Sequence, residues 1–509
     1  MAILGLLRPA ALAASAAMLV LIGSSALTVA SESLTIAQGN DILSLDPANH
    51  GNNSTESALI NIYDYLLNKD FSQGQLRFTP RLATSWQTDD HVHWTFKLRD
   101  DVYWHNGDKF TAQDVKFTIE RTQQDKKLIN TSKFRRIKSV EAPDDVTLKI
   151  ETDGPDTLLL HALVGNGAGI LPKAAFEKAG SKEEFFKRPV GTGPYIFKQW
   201  IKADRLVLVK NPHWWGGTPK WDTVVIRSIP ETTTRVAELL TGGVDIAVNI
   251  PPEDIARING NKGTHVISFD IARNLALHVR TGKDRITGDP CVREAIDLAI
   301  DRDSIVKQVL DGYGTPTRGF FPPAIPGYAP ALSQNIRFDP ERAKTLLREA
   351  GYDGSKVPAI KISTPSGRYV KDREITEAIV GYLEDVGFKV QLEVLDWTVY
   401  NNKLVGDGFG ELYLWGMGSY TDASTLFADD FKRHYDWSDK AFAQLGAAVS
   451  AAQSDDERIA ISQQGQQMIA DQRVRIGLLY PQSIYGVNDR VVFKGRYDEM
   501  LAAEDVSRP

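Results

Sequence analysis

The chain has 509 residues, 42% of them apolar and 24% charged, with 59 Lys and Arg against 65 Asp and Glu. That length predicts about two to four domains with real cores and excludes an intrinsically disordered or coiled-coil protein, while a formal charge of -6 leaves no basic excess for a phosphate backbone, so no nucleic acid partner is expected. The lone cysteine, Cys291, rules out an intramolecular disulfide and any multi-cysteine metal site.

Residues 1–30 are built unlike the rest. Arg8 is the only charge before Glu32, and the stretch from Ala10 is almost wholly apolar or small, ending in Thr28-Val29-Ala30 ahead of Ser31. A small-x-small end to an apolar run predicts a secretory signal peptide over residues 1–30. The alternative is a transmembrane anchor, since about 20 apolar residues can span a bilayer; the Ala- and Ser-rich composition and the cleavage pattern favour the signal. No cysteine lies near that site, so the exported chain is not expected to be a lipoprotein.

From there the pattern is mixed α and β. Residues 34–37 read as a strand, and Trp94, Phe96 and Leu98 alternate with polar residues as in a half-buried strand. Residues 206–209 repeat the strand signal, and a Pro- and Gly-rich stretch at 212–219 is expected on the surface. A helix is predicted over 292–310 from the stripe Ala295, Ile296, Ala299, Ile300, Ile305, Val306 and Val309. A second surface connection is expected at 315–330. Asp339 as N-cap, Pro340 in the first helical position and Gly351 at the far end bracket another helix. A further helix is predicted over 372–386, closed by Gly387 and followed by a strand over 390–394. Helix followed by strand is the repeat of an α/β lobe. The expected architecture is two α/β lobes with any ligand cleft between them.

Catalytic signatures are missing. The mature chain has no GxxxxGK[ST], HExxH or GxSxG. Gly165 to Gly169 and Gly191 to Pro194 have the wrong spacing for a nucleotide loop and read as turns. His91 and His93 could share one face of a strand, but with no third ligand nearby they read as surface histidines. No enzyme activity, metal or cofactor is therefore predicted. Ten tryptophans are present, most expected in packing. Trp415 is set apart, because it lies where the apolar run 412–415 breaks into a Gly-rich turn reaching Asp422, the kind of strand end on which ligand groups are placed.

Several blocks carry a family resemblance. Residues 82–86, 94–100, 104–108 and 110–115, then Gly191-Thr192-Gly193-Pro194-Tyr195, Asn211-Pro212-His213-Trp214-Trp215 and the run from Val292 to Arg302 resemble, in order, the large extracytoplasmic solute-binding proteins of family 5. These are the dipeptide, oligopeptide, nickel and opine binders that feed ABC importers. The resemblance implies a periplasmic, hinge-closing protein with the two-lobed α/β periplasmic binding fold of the large, class II type. It implies residues 31–52, 190–270 and 478–509 as the lobe 1 core, 53–189 as an extra domain on lobe 1, and 271–477 as lobe 2. It also implies a monomer that partners inner-membrane permease and ATPase subunits.

Peptide binders of the family carry an aspartate in the loop from Trp415 to Asp422 that pairs with the peptide's ammonium group. That place falls on Ser419 here, a neutral hydroxyl. A buried ammonium without its carboxylate is costly, so either Asp422 compensates or the ligand lacks a primary ammonium. The loop is closer to branches that take glutathione, modified peptides or opines, and Gly367-Arg368-Tyr369 occurs in those branches. Arg368 offers a planar, always charged fork for a ligand carboxylate; the alternative is an inter-element salt bridge. The expected ligand-binding set is therefore Trp415, Gly416, Ser419, Tyr420, Asp422, Arg368 and Tyr369, with Arg273, Asn274, Asn49 and His50 as further candidates. The expected function is capture of a peptide-like or opine-like solute for an importer. The alternatives are a secreted hydrolase of peptides or glycoconjugates, and a receptor that signals without transport.

Overall fold

The computed structural model describes residues 32–509 apart from 407 and 419. The segment read as a signal peptide, 1–30, and Ser419 lie outside the described residues. No helix among the described residues is long and apolar enough to cross a membrane.

One strand organises the molecule. Arg475–Asn488 runs through both lobes, pairing by its first half with Arg273–Val279 and by its second half with Thr264–Asp270. The chain also crosses at 271–272, between those two partners, so two backbone connections lie side by side at the junction. Lobe 1 is the sheet formed by Ser33–Gln38, Thr223–Ser228, Arg205–Lys210 and Tyr195–Ile201 with the second half of the long strand. Lobe 2 adds Leu412–Gly418, Ala359–Ser366 and Lys389–Asp396 beside Arg273–Val279. A separate four-stranded antiparallel sheet, Ala83–Gln87, His93–Leu98, Thr147–Thr152 and Ile137–Asp144, forms the extra domain with the helix Ala112–Gln124.

Local sequence accounts for most of these elements. Trp94, Phe96 and Leu98 point inward from His93–Leu98, and Trp104 and Phe110 join them in the extra domain's core. Thr111 and Asp114 close a capping box at the start of Ala112–Gln124. In lobe 2, Asp339 accepts from the backbone N–H of Arg342 to start Pro340–Glu349, and Gly351 takes a positive φ just beyond it. Asp372–Asp385 buries Ile375, Ile379 and Leu383 completely against the sheet, each such burial contributing roughly 1.5–3 kcal/mol.

Two expectations fail. The helix predicted over 292–310 stops at Ala299, and Asp301 caps a new short helix, Arg302–Ser304. The break carries Arg302 inward, where its guanidinium reaches Gly477 O at 2.7 Å and the Asp297 carboxylate. The stretch 315–330 is not a surface connection: Phe320, Phe321 and Ile325 are buried in a second core of lobe 2. Its prolines punctuate the chain without exposing it.

Candidate functional site

Ala359–Ser366 lies parallel to both Lys389–Asp396 and Leu412–Gly418. Their carboxyl ends therefore meet at one edge of the lobe 2 sheet, where the following loops carry Arg368, Trp397 and Tyr420. Crevices outside the carboxyl ends of such strands are where α/β proteins place ligands.

The first loop is built around Asp372. Its carboxylate accepts from the backbone N–H of Gly367 at 3.1 Å, Arg368 at 2.8 Å, Tyr369 at 3.0 Å and Arg373 at 3.0 Å. Burial pushes the Asp372 carboxyl up to about 6 against the pull of those N–H groups. The loop also touches lobe 1: Asn249 Nδ2 donates to Arg368 O at 3.1 Å, and Lys371 pairs with Glu253. A Cβ at Gly39 would sit 2.6 Å from Gly367 O, so the lobes close only because glycine stands there.

Arg368 is 7% exposed, and its guanidinium lies over the Tyr369 and Trp397 rings at 4.9 and 5.3 Å. Its Nε has no hydrogen-bond partner, and it forms no ion pair among the described residues. Burial, and then the neighbouring Arg273 charge, push its pKa down. Arg273 differs. Burial opposes its charge, but Glu499 outweighs that and holds the group above its ordinary value, with Nε 2.9 Å from Oε2. Asn53 Nδ2 donates to the same oxygen at 2.9 Å. A cavity of about 30 Å³ lies between the lobes here, lined among others by Gln38, Asn53, Ser57, Arg368, Tyr485 and Glu499. That is room for a water or two.

The other predicted residues are distributed unevenly. Tyr369 locks onto Gly416, its hydroxyl donating to Gly416 O at 3.1 Å and accepting from Gly416 N at 3.0 Å. A Cβ at Gly416 would meet the Tyr369 ring at 2.7 Å. Tyr420 OH donates to Asn274 Oδ1 at 3.4 Å, and Asn274 Nδ2 is buried without a partner. Trp415 is only partly buried and packs near the imidazoles of His278 and His434, at 5.1 and 5.4 Å, away from the cavity wall. Asp422 is fully buried and its charge is taken: Oδ2 accepts from Arg458 Nη1 at 2.7 Å, and Oδ1 caps the next turn through Ser424 N. It is not free to receive a ligand ammonium. His50 is likewise internal, 3.1 Å from Glu56, and Asn49 is exposed in a turn off the cavity. His93 meets Asp90 while His91 packs beside Trp94.

Glu499, Asn53, Gln38, Ser57, Trp397 and the organising role of Asp372 were not read from the sequence. Asp372 carried only a helix-start signal, and Glu499 reaches Arg273 across 226 residues of chain.

The family model described as bacterial extracellular solute-binding proteins, family 5 Middle, matches residues 77–438. The glutathione-binding protein GsiB of Escherichia coli strain K12 is 29% identical over 375 residues, covering 72% of this chain and 70% of that protein. DppA of Helicobacter pylori, solved in complex with the peptide STSA, is 27% identical with a TM-score of 0.83, covering 94% of this chain and 98% of that one. AgaA from A. tumefacien R10, solved with agropinic acid, shares the fold at 24% identity and a TM-score of 0.81, covering 94% and 99%. The parallel strand ends, the paired crossings and the match over most of the chain place it together with these proteins: it belongs to the bacterial extracellular solute-binding proteins of family 5.

Proposed function

We propose that the chain is exported to the periplasm, captures a small peptide-like or opine-like solute there as a monomer, and hands it unaltered to the permease of an ABC importer. The solute's carboxylate is held by Arg368. One observation carries this reading: a guanidinium 7% exposed, at the wall of the inter-lobe cavity, with no counter-ion among the described residues. An unpaired buried charge is costly, and a ligand carboxylate would supply the missing partner with paired, charge-assisted hydrogen bonds. Among the described residues no salt bridge to Arg368 is found, which favours the ligand role over the inter-element pair weighed as its alternative. Likeness to a glutathione-binding protein and to a protein holding a peptide supports the ligand class, since a peptide ends in a carboxylate. Because Arg368 belongs to lobe 2 and the opposite wall to lobe 1, binding would favour the closed form by differential affinity, without catalysis.

The test is isothermal titration of purified wild type and Arg368→Ala with glutathione and dipeptides, followed by mass spectrometry of the recovered solute. The expected loss on substitution is about 1.5–3 kcal/mol, or roughly 10–150-fold in Kd, with the solute returned intact. An unchanged Kd contradicts the assignment to Arg368, and a cleaved solute contradicts the binding role.

A further inference from the structure

The cavity wall carries a second charge. Glu499 faces it from the C-terminal segment of lobe 1, opposite Arg368. It is the only carboxylate among the described residues lining that cavity, because Asp422 is tied to Arg458 elsewhere. Its two oxygens are used unequally. Oε2 accepts from Arg273 Nη2 at 2.5 Å and Asn53 Nδ2 at 2.9 Å, while Oε1 receives only a share of Arg273 Nε, at 3.0 Å. A carboxylate has about four acceptor positions, so Oε1 retains capacity. Glu499 also holds φ at 62°, a left-handed conformation that a non-glycine residue adopts at a cost and that clusters at ligand clamps.

Arg368 and Glu499 are thus opposite charges on opposite lobes, in the wall of one small cavity, and they do not form an ion pair with each other. Glu499 meets Arg273 on its own side of the cavity, chiefly through Oε2, so a solute lying between Arg368 and the less used Oε1 would face a positive group at one end and a negative one at the other. We propose that Glu499 receives the free amino group of the solute whose carboxylate Arg368 holds, so that the ligand is a compact zwitterion spanning the two lobes. This rests on the role given to Arg368 above. It assigns to the C-terminal segment the ammonium recognition for which Asp422, paired to Arg458, is not free. Gln38, Ser54, Ser57 and Asn249 on the same wall supply neutral donors and acceptors suited to a peptide group between the charged ends. A zwitterion touching both lobes gains both contacts only in the closed form, which ties recognition to closure.

The experiment is calorimetric titration of the mature protein with glutathione and dialanine, each free and N-acetylated, on wild type, Glu499→Gln and Arg368→Ala. Wild type is expected to prefer the free amines by about tenfold or more, and Glu499→Gln to cut that preference to about threefold or less. Arg368→Ala should weaken free and acetylated forms in parallel, leaving their ratio unchanged. Equal binding of free and acetylated forms by wild type overturns the inference without needing a variant. A Glu499→Gln protein that loses both forms in parallel overturns it too, since the residue then acts only by holding Arg273. If acetylated and free forms bind alike while Arg368→Ala loses both, the carboxylate reading stands and this one falls; if wild type binds none of the probes, both fall.

Discussion

Two buried arginines serve strand-end loops at the same edge of the lobe 2 sheet, Arg368 from within its loop and Arg458 reaching the other loop from the helix Asp455–Gln472, and their charges are resolved in opposite ways. After Leu412–Gly418, Asp422 and Arg458 are both almost fully enclosed and close on each other at 2.7 Å. After Ala359–Ser366, Arg368 is nearly as enclosed and lies against the Tyr369 and Trp397 rings, with no carboxylate paired to it among the described residues. Burial is shared and pairing is not. A paired buried charge belongs to the fold, whereas an unpaired one on a cavity wall costs stability that a ligand can return.

Substitution should pull the two sites apart. Arg458→Ala strands the Asp422 carboxylate in the interior, and the expected cost is about 3–5 kcal/mol of folding stability, seen as a large drop in Tm with little change in Kd for the protein that remains folded. Arg368→Lys keeps the charge but loses the planar fork. It is expected to weaken a carboxylate ligand by about tenfold, or 1.4 kcal/mol, with ligand-free Tm almost unmoved. If both variants lose stability alike, the comparison collapses.

Acidification tests the scaffold beneath Arg368. Burial raises Asp372 from its ordinary 3.8 to about 6. Since folding favours its protonated form, its contribution to stability is full below about pH 3.8 and is lost as pH rises through about 6. Ligand affinity should run the other way. Protonated Asp372 gives up acceptor positions that hold Gly367, Arg368 and Tyr369, so binding is expected to weaken several-fold between pH 7 and pH 5. Titrations at the two pH values check this, and Asp372→Asn should flatten the profile. The smallest effect is expected at the lip of the cleft, where Lys371 and the largely exposed Glu253 pair across the lobes. Glu253→Gln should cost about 0.2–1 kcal/mol of closure, read as a modest, salt-sensitive rise in Kd.

What the sequence disclosed followed the range of the interactions involved. Alternation in Trp94, Phe96 and Leu98 and the Asp339, Pro340 and Gly351 bracket act within a few residues, and the strands and helices form where those signals lie. The helix across 292–310 looked continuous because its apolar stripe continues, but Arg302 binds Gly477, 175 residues away, and breaks it. Phe320 and Phe321 sit in a Pro- and Gly-rich stretch whose burial depends on elements distant in sequence. The site divides in the same way. Arg368 and Tyr369 stood out through a local motif, yet nothing local marks Glu499 or shows that Asp422 has its charge taken by Arg458.

The central claim is that Arg368 meets the solute's carboxylate, and a crystal structure of the protein with its bound solute tests it most directly. The account predicts carboxylate oxygens about 2.7–2.9 Å from the Arg368 guanidinium nitrogens, with Asp422 still paired to Arg458. A solute whose carboxylate lies elsewhere, with Arg368 turned onto a protein carboxylate, would contradict it.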